Sequence, residues 1–249
     1  MFTFFKRAYC SVSASIAFYD SRGSFGYFAG KPSPFEKEVL LETLGEGSTC
    51  LVEKVSIGQT ILAKKNYISD IEKQRIIEEY QRTLMWSHPS IVRVAHLGSS
   101  HVYFEHIEGT VLSKTDLYLE EGLAIYLSLI QLLSYIHMRG HVHGDAHGEN
   151  VIISHDKKQC RLIDFGCCEV FDEDQVYECD IELLAYHLEK FFLKMKPQLS
   201  PSIFQEFCDI KKWYQQRQYL EEEGLPYDRM ETFLEKCLKE IKLKKRRLA

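Results

Sequence analysis

The run from His141 to Gly166 constrains this 249-residue chain more than any other stretch. It reads His-Val-His-Gly-Asp-Ala-His-Gly-Glu-Asn-Val-Ile-Ile-Ser, then a polar turn, then Arg-Leu-Ile-Asp-Phe-Gly. Val151 to Ile153 and Leu162 to Ile163 have the length and apolar character of two short buried strands, and His155-Asp156-Lys157-Lys158 predicts the hairpin turn between them. Pairing those strands brings Asn150 and Asp164 close together. An amide oxygen and a carboxylate are hard ligands of the kind a magnesium ion accepts. Asp145, five residues before Asn150, is left to take a hydroxyl proton.

The spacing D-x4-N followed by D-F-G resembles the catalytic loop and metal-binding triplet of the protein-kinase superfamily. Tyr135-Ile-His-Met-Arg-Gly-His-Val-His, just upstream, is similar to the end of the kinase helix that delivers that loop. Taken singly, these residues are a turn Asp, a capping Asn and a loop Gly; in this order, joined by apolar strands, they outweigh that reading. The resemblance implies an α+β, two-lobed protein-kinase-like fold, with a small antiparallel N-lobe sheet carrying one helix and a reduced, mainly helical C-lobe. It also implies ATP and Mg2+ as cofactors, with Asn150 and Asp164 as the metal ligands and Asp145 as the acceptor of the hydroxyl proton.

Composition sets the outer limits. A chain of this length builds one large domain or two modest lobes, and its 45% hydrophobic and 27% charged residues are those of an ordinary globular protein. The formal net charge of −5 supplies no general attraction to nucleic acid or to an anionic membrane, so neither is an expected partner. No apolar run is expected to span a bilayer. Eight cysteines without a C-x-x-C pair argue against a disulfide framework or a zinc site, and point to a reducing compartment, the cytoplasm.

Residues 1–35 read as an N-terminal arm or leader. Lys6 and Arg7 with serines and no acid through Tyr19 form a weak targeting signal, and a secretion leader would deliver the protein into a host cell. The kinase-like domain is then 36–249, with the N-lobe at about 36–106 and the C-lobe at about 107–249. Val39-Leu-Leu-Glu-Thr-Leu-Gly-Glu-Gly-Ser-Thr-Cys-Leu-Val predicts two strands flanking a glycine turn and resembles the kinase glycine-rich loop. The match lays Gly45, Glu46, Gly47 and Ser48 against phosphates and Val52 over the nucleotide base, with Cys50 replacing the third glycine.

Thr60-Ile-Leu-Ala-Lys-Lys resembles the strand that carries the phosphate-pairing lysine. Period-2 alternation puts Ala63 under the base and Lys65 two residues on, with Lys64 turned to solvent; a one-residue slip exchanges the two lysines. Ser69 to Trp86 reads as a helix, and counting back from Ser87-His-Pro-Ser-Ile-Val places Glu79 as the partner of Lys65, with Glu78 next in line. His101-Val-Tyr-Phe-Glu-His-Ile-Glu is similar to the strand and hinge between kinase lobes. By that match Phe104 stands behind the base, and the backbone of Glu105 and Ile107 meets its edge. Gly122 to Arg139 reads as the first long helix of the C-lobe.

Three departures stand out. Gly144 replaces the arginine that usually precedes the catalytic aspartate, His147 replaces the lysine two positions after it, and only 13 residues (167–179) separate Gly166 from Asp180, with no A-P-E. The helix that begins near Asp180 resembles the buried C-lobe helix whose aspartate braces the catalytic loop. The resemblance supports a protein serine/threonine kinase of a small atypical or effector type, acting on a protein substrate and open to an activating protein partner. His-Gly-Asp-Ala-His keeps a small-molecule kinase of the aminoglycoside or choline type as an alternative, and a pseudokinase scaffold as a third.

Overall fold

A computed structural model describes residues 16–19, 25–28, 38–47, 50–68, 73–98, 100–170, 177–216 and 227–248. Ser48, most of the N-terminal arm and the middle of the 167–179 segment lie outside them. The chain divides into two compact units, one of residues 1–86 and 92–107, the other of residues 87–91 and 108–249.

The first unit contains an antiparallel pair, β1 (Ile16–Tyr19) and β2 (Phe25–Phe28), and a five-stranded antiparallel sheet. Its strands are β3 (Val39–Glu46), β4 (Cys50–Ile57), β5 (Thr60–Tyr67), β6 (Val94–Leu97) and β7 (His101–Glu105), ordered β3-β4-β5-β7-β6. Alternation decides what each face carries. Val55, Ile57, Leu62 and Tyr103 gather on one face as a buried cluster with Ala95 against it. In the ladders Val52 pairs with Lys65, Lys65 with Val102 and Ala63 with Phe104, so these side chains belong to the opposite face. The helix α1 (Lys73–Leu84) buries Ile76, Glu79 and Thr83. β3 is an edge strand with two register shifts, and its leucines stay exposed.

Lys64 corrects the sequence expectation. Instead of facing solvent it pairs with Glu38 at 2.7 Å, and the Tyr103 hydroxyl donates to the same carboxylate. The cause is the other apolar face: a residue alternating with Lys65 lands beside Tyr103, where an acid at the start of β3 can reach it.

The second unit is built on α2 (Leu119–His137), a helix with eleven buried residues. It starts earlier than Gly122 because the Glu121 carboxylate reaches back to accept from the Tyr118 N–H at 2.8 Å, occupying an otherwise orphaned donor. By length and composition alone this helix is apolar enough to cross a membrane, a test that the core helix of a globular protein also passes. More than half of that window is buried inside the protein, as befits a core helix. Around it lie β8 (Gly109–Val111), β9 (His141–Val142), β10 (Val151–Ser154), β11 (Cys160–Leu162) and β12 (Glu169–Val170), in a three-stranded sheet β11-β10-β8 and a pair β12-β9. Helices α3 (Tyr177–Met195), α4 (Pro201–Gln216) and α5 (Tyr227–Leu248) complete the unit.

Aromatic contacts tie these three helices together. Phe192 of α3 stacks on Phe207 of α4 with ring centroids 4.2 Å apart, and Phe233 of α5 lies 5.5 Å from Phe192. Residues 87–91 join this unit although the sequence places them with the N-lobe. The Leu162 N–H donates to the Ser90 carbonyl at 2.7 Å, and Ile91 bridges to Leu162, which stitches the segment to β11.

Candidate active site

In the first unit the site begins with an ion pair. Lys65 Nζ lies 2.9 Å from one carboxylate oxygen of Glu79 and 3.1 Å from the other. The Tyr67 hydroxyl donates to the same carboxylate. Tyr67 stands two residues beyond Lys65, hence on the same face, and the Lys65 ammonium lies 5.5 Å from its ring centroid. Both charged side chains are buried, Glu79 to 1% exposure. Glu78, the neighbouring candidate, faces Arg82 instead, 3.5 Å away one helical turn on.

Val52, Ala63 and Phe104 are brought to the face of Lys65 by the pairings given above. Gly45 pairs with Val52, which sets the glycine turn at the end of that face, and the Gly47 N–H donates to the Cys50 carbonyl at 2.8 Å. A Cβ built at Gly45 meets no atom within 4 Å. Packing among the described residues therefore does not demand glycine there. The Glu105 N–H is used by the Arg93 carbonyl at 2.9 Å, and its carboxylate holds the Arg93 guanidinium. Ile107 ends the first unit.

In the second unit the catalytic-loop residues come together as the hairpin reading requires. Val151 pairs with Leu162, and the Ile163 N–H donates to the Asn150 carbonyl at 2.9 Å, so Asn150 and Asp164 leave the same end of the β10–β11 hairpin. The Asn150 amide nitrogen donates to the Asp145 carbonyl and to Asp145 Oδ2, both at 2.9 Å. Its two hydrogens being so directed, the amide oxygen is the atom offered to a cation. Asp164 adopts a left-handed backbone (φ 63°, ψ 72°) and accepts from the Gly166 N–H. Such a conformation is costly for a non-glycine residue and concentrates at functional sites.

His147 contributes what its position in the sequence left unread. Its Nε2 lies 3.3 Å from Asp145 Oδ1, while Nδ1 accepts from the Glu149 N–H, so the Asp145 carboxylate is held on one oxygen by Asn150 and on the other by an imidazole. On its other side the loop is held by α3: the Gly148 N–H donates to His187 Nε2 at 3.1 Å. Asp180 accepts from the N–H groups of His143 (2.8 Å) and Gly144 (3.0 Å). Burial works to raise the Asp180 pKa, yet hydrogen bonding to His137 and the nearby His143 hold it below the usual carboxylate value.

His143 is fully buried, and burial pushes its pKa down, so the neutral ring is favoured. It accepts from the Asp145 N–H and sits 3.0 Å from the Ile163 carbonyl, linking the catalytic loop to the strand that leads into Asp164. Gly144 owes its identity to this crowding. Its φ is +79°, and an added Cβ would lie 2.6 Å from the Cys167 carbonyl oxygen. A side chain of any size, arginine included, does not fit this loop as it stands.

The donor set suits the expected metal: an amide oxygen and a carboxylate are hard ligands, and an ion that keeps waters and takes phosphate oxygens needs few more from protein. Among the described residues no group of three or more His, Cys, Asp or Glu is arranged to hold a metal.

Comparison with known proteins gives the family. Residues 39–186 match the protein kinase domain, and the chain belongs to that family. It is 29% identical over 160 residues to a protein of Acanthamoeba polyphaga mimivirus named as a serine/threonine-protein kinase, covering 59% of this chain and 29% of the relative. Serine/threonine-protein kinase ppk25 of Schizosaccharomyces pombe is 27% identical over 66% of this chain and 42% of its own length. For serine/threonine-protein kinase PAK 4 of Homo sapiens the figures are 28%, 50% and 23%. The chain thus spans less than half the length of each of these relatives.

Proposed function

We propose that the chain transfers the terminal phosphoryl group of ATP to a serine or threonine hydroxyl of a protein. The observation that carries this reading is the Asp145 carboxylate, held on both oxygens by Asn150 and His147 beside the Asp164 turn, in a chain of the protein kinase family. Phosphoryl transfer needs positioning and charge more than covalent chemistry, and each residue has one such task. Lys65, kept in place by Glu79 and Tyr67, meets the phosphates. The glycine turn at Gly45, Glu46 and Gly47, with Ser48 after it, covers them. Val52, Ala63 and Phe104 supply apolar walls for the base, whose polar edge meets the backbone of Glu105 and Ile107. Asp145 accepts the proton of the acceptor hydroxyl. Asn150 and Asp164 would hold a magnesium ion, whose charge would offset that building on the phosphate oxygens.

The acceptor is assigned to protein because residues 39–186, which take in parts of both units, match the protein kinase domain, and the relatives are named as serine/threonine-protein kinases. The Gly144 backbone leaves no room for an arginine clamp on a phosphorylated segment, so activity as synthesised, or activation by a protein partner, fits better than switching by phosphorylation. The eight cysteines, with no C-x-x-C pair among them, suit a reducing compartment such as the cytoplasm.

Thermal unfolding with nucleotide and metal tests the assignment of the site. ATP with magnesium is expected to raise the midpoint well beyond either alone, an increment worth about 2.7 kcal/mol at a hundredfold excess over Kd. Asp164→Ala should remove the part of the shift that magnesium adds. An undiminished shift in that variant places the metal elsewhere.

A further inference from the structure

We propose that Tyr227 is a positioning residue for the catalytic loop, acting through His137 and Asp180. The inference rests on the kinase reading for its consequence and on the geometry of the second unit for its mechanism. Asp180 spends one carboxylate oxygen on the Gly144 N–H and the other on the His143 N–H, the two peptide groups directly before Asp145. The second oxygen also lies 3.0 Å from His137 Nε2. Both side chains of that contact are fully buried, on α2 and α3. The opposite ring nitrogen, Nδ1, lies 2.6 Å from the Tyr227 hydroxyl, at the first residue of α5 and ninety positions along the chain. Tyr227 is itself 2% exposed.

For a neutral His137 ring, hydrogen-bond bookkeeping gives the direction of this chain of contacts. Asp180 is ionised and only accepts, so His137 must carry its hydrogen on Nε2. In the neutral ring Nδ1 is then an acceptor, and the Tyr227 hydroxyl is the donor that meets it. Removing the hydroxyl takes this donor away from Nδ1, or lets the hydrogen move to Nδ1 and turns a lone pair toward the Asp180 carboxylate. Either outcome loosens the carboxylate that holds His143 and Gly144, and with them the approach of Asp145 to its substrate. The ring also packs on His137 with centroids 5.4 Å apart, a contact that phenylalanine retains. The hydroxyl, separable from the packing, is therefore the feature to test.

Tyr227→Phe in the full chain is expected to lower kcat about tenfold, the scale on which small misplacements of catalytic groups act. KM for ATP should stay unchanged, since none of these residues belongs to the nucleotide-binding set. Amide hydrogen exchange should quicken at His143 and Gly144 while Ile153 in β10 stays protected. Nitrogen-15 shifts should show His137 as the Nε2–H tautomer in the wild type and a mixture in the variant. In a His137→Phe background the second substitution should add nothing to the loss, because the two act in series. The proposal is overturned by unchanged exchange at His143 and Gly144, by exchange that rises equally at Ile153, by a cationic His137 in the wild type, or by additive losses in the double variant. If the wild type transfers no phosphate to any acceptor, the kinase reading fails, while the exchange and tautomer measurements still decide the positioning role.

Discussion

Asp145→Asn is expected to lower kcat by about 10²–10⁴-fold, the usual contribution of a positioned general base, with ATP affinity nearly unchanged. The asparagine keeps the size of the side chain and its contact with Asn150, so the hairpin and the Asp164 turn have no reason to move. What is lost is the oxygen charge proposed to accept the hydroxyl proton. His147, 3.3 Å from that carboxylate, then faces an amide instead. Steady-state kinetics with a nucleotide-binding titration on the same preparation separates the two readings. A proportionate loss of binding and turnover makes Asp145 a structural residue.

The second large effect belongs to the Lys65–Glu79 pair. Glu79→Ala removes the carboxylate from a buried ammonium and from the Tyr67 hydroxyl at once. Stranding one partner of a buried pair costs about 3–5 kcal/mol, whereas replacing both by apolar residues of similar volume is often close to neutral. Urea unfolding is therefore expected to show a loss of that size for Glu79→Ala and a substantial recovery in the double variant Lys65→Met with Glu79→Leu. Activity should not recover, because the ammonium proposed to meet the phosphates is gone. If the double variant regains turnover, Lys65 has no part in the chemistry. If the single variant is as stable as the wild type, the pair is not buried as described.

The parts of this account that a reader of the sequence can see are those set by short-range rules. Alternation along β5 separates Lys65 from Lys64, and the apolar runs on either side of His155 to Lys158 define a hairpin that delivers Asn150 and Asp164 to one end. The helical count that selects Glu79 over Glu78 works because the segment after α1 has a recognisable end. What stays hidden depends on pairs remote in sequence. Lys64 looks like a solvent-facing residue until Tyr103 and Glu38 are set beside it. Tyr67 carries a legible signal, its place two residues beyond Lys65, but its hydrogen-bond partner lies on a helix. His147 looks like a mere replacement for lysine until its ring is seen against the Asp145 carboxylate. No spacing rule connects Tyr227 with His137 across ninety residues. Gly144 is instructive in a different way: read as a missing arginine it speaks of regulation, whereas the backbone at φ +79° against the Cys167 carbonyl explains why a glycine is there at all.

The central claim is phosphoryl transfer to protein serine or threonine, and γ-phosphate-labelled ATP tests it directly. The purified chain is incubated with labelled ATP and magnesium, with a generic protein substrate and with a cell lysate separated by size, alongside the Asp145→Asn variant. Label is expected in the protein fraction, on phosphoserine or phosphothreonine after acid hydrolysis, and is expected to fall with Asp145→Asn. Label confined to the small-molecule fraction, or protein labelling that the Asp145→Asn variant matches, contradicts the account.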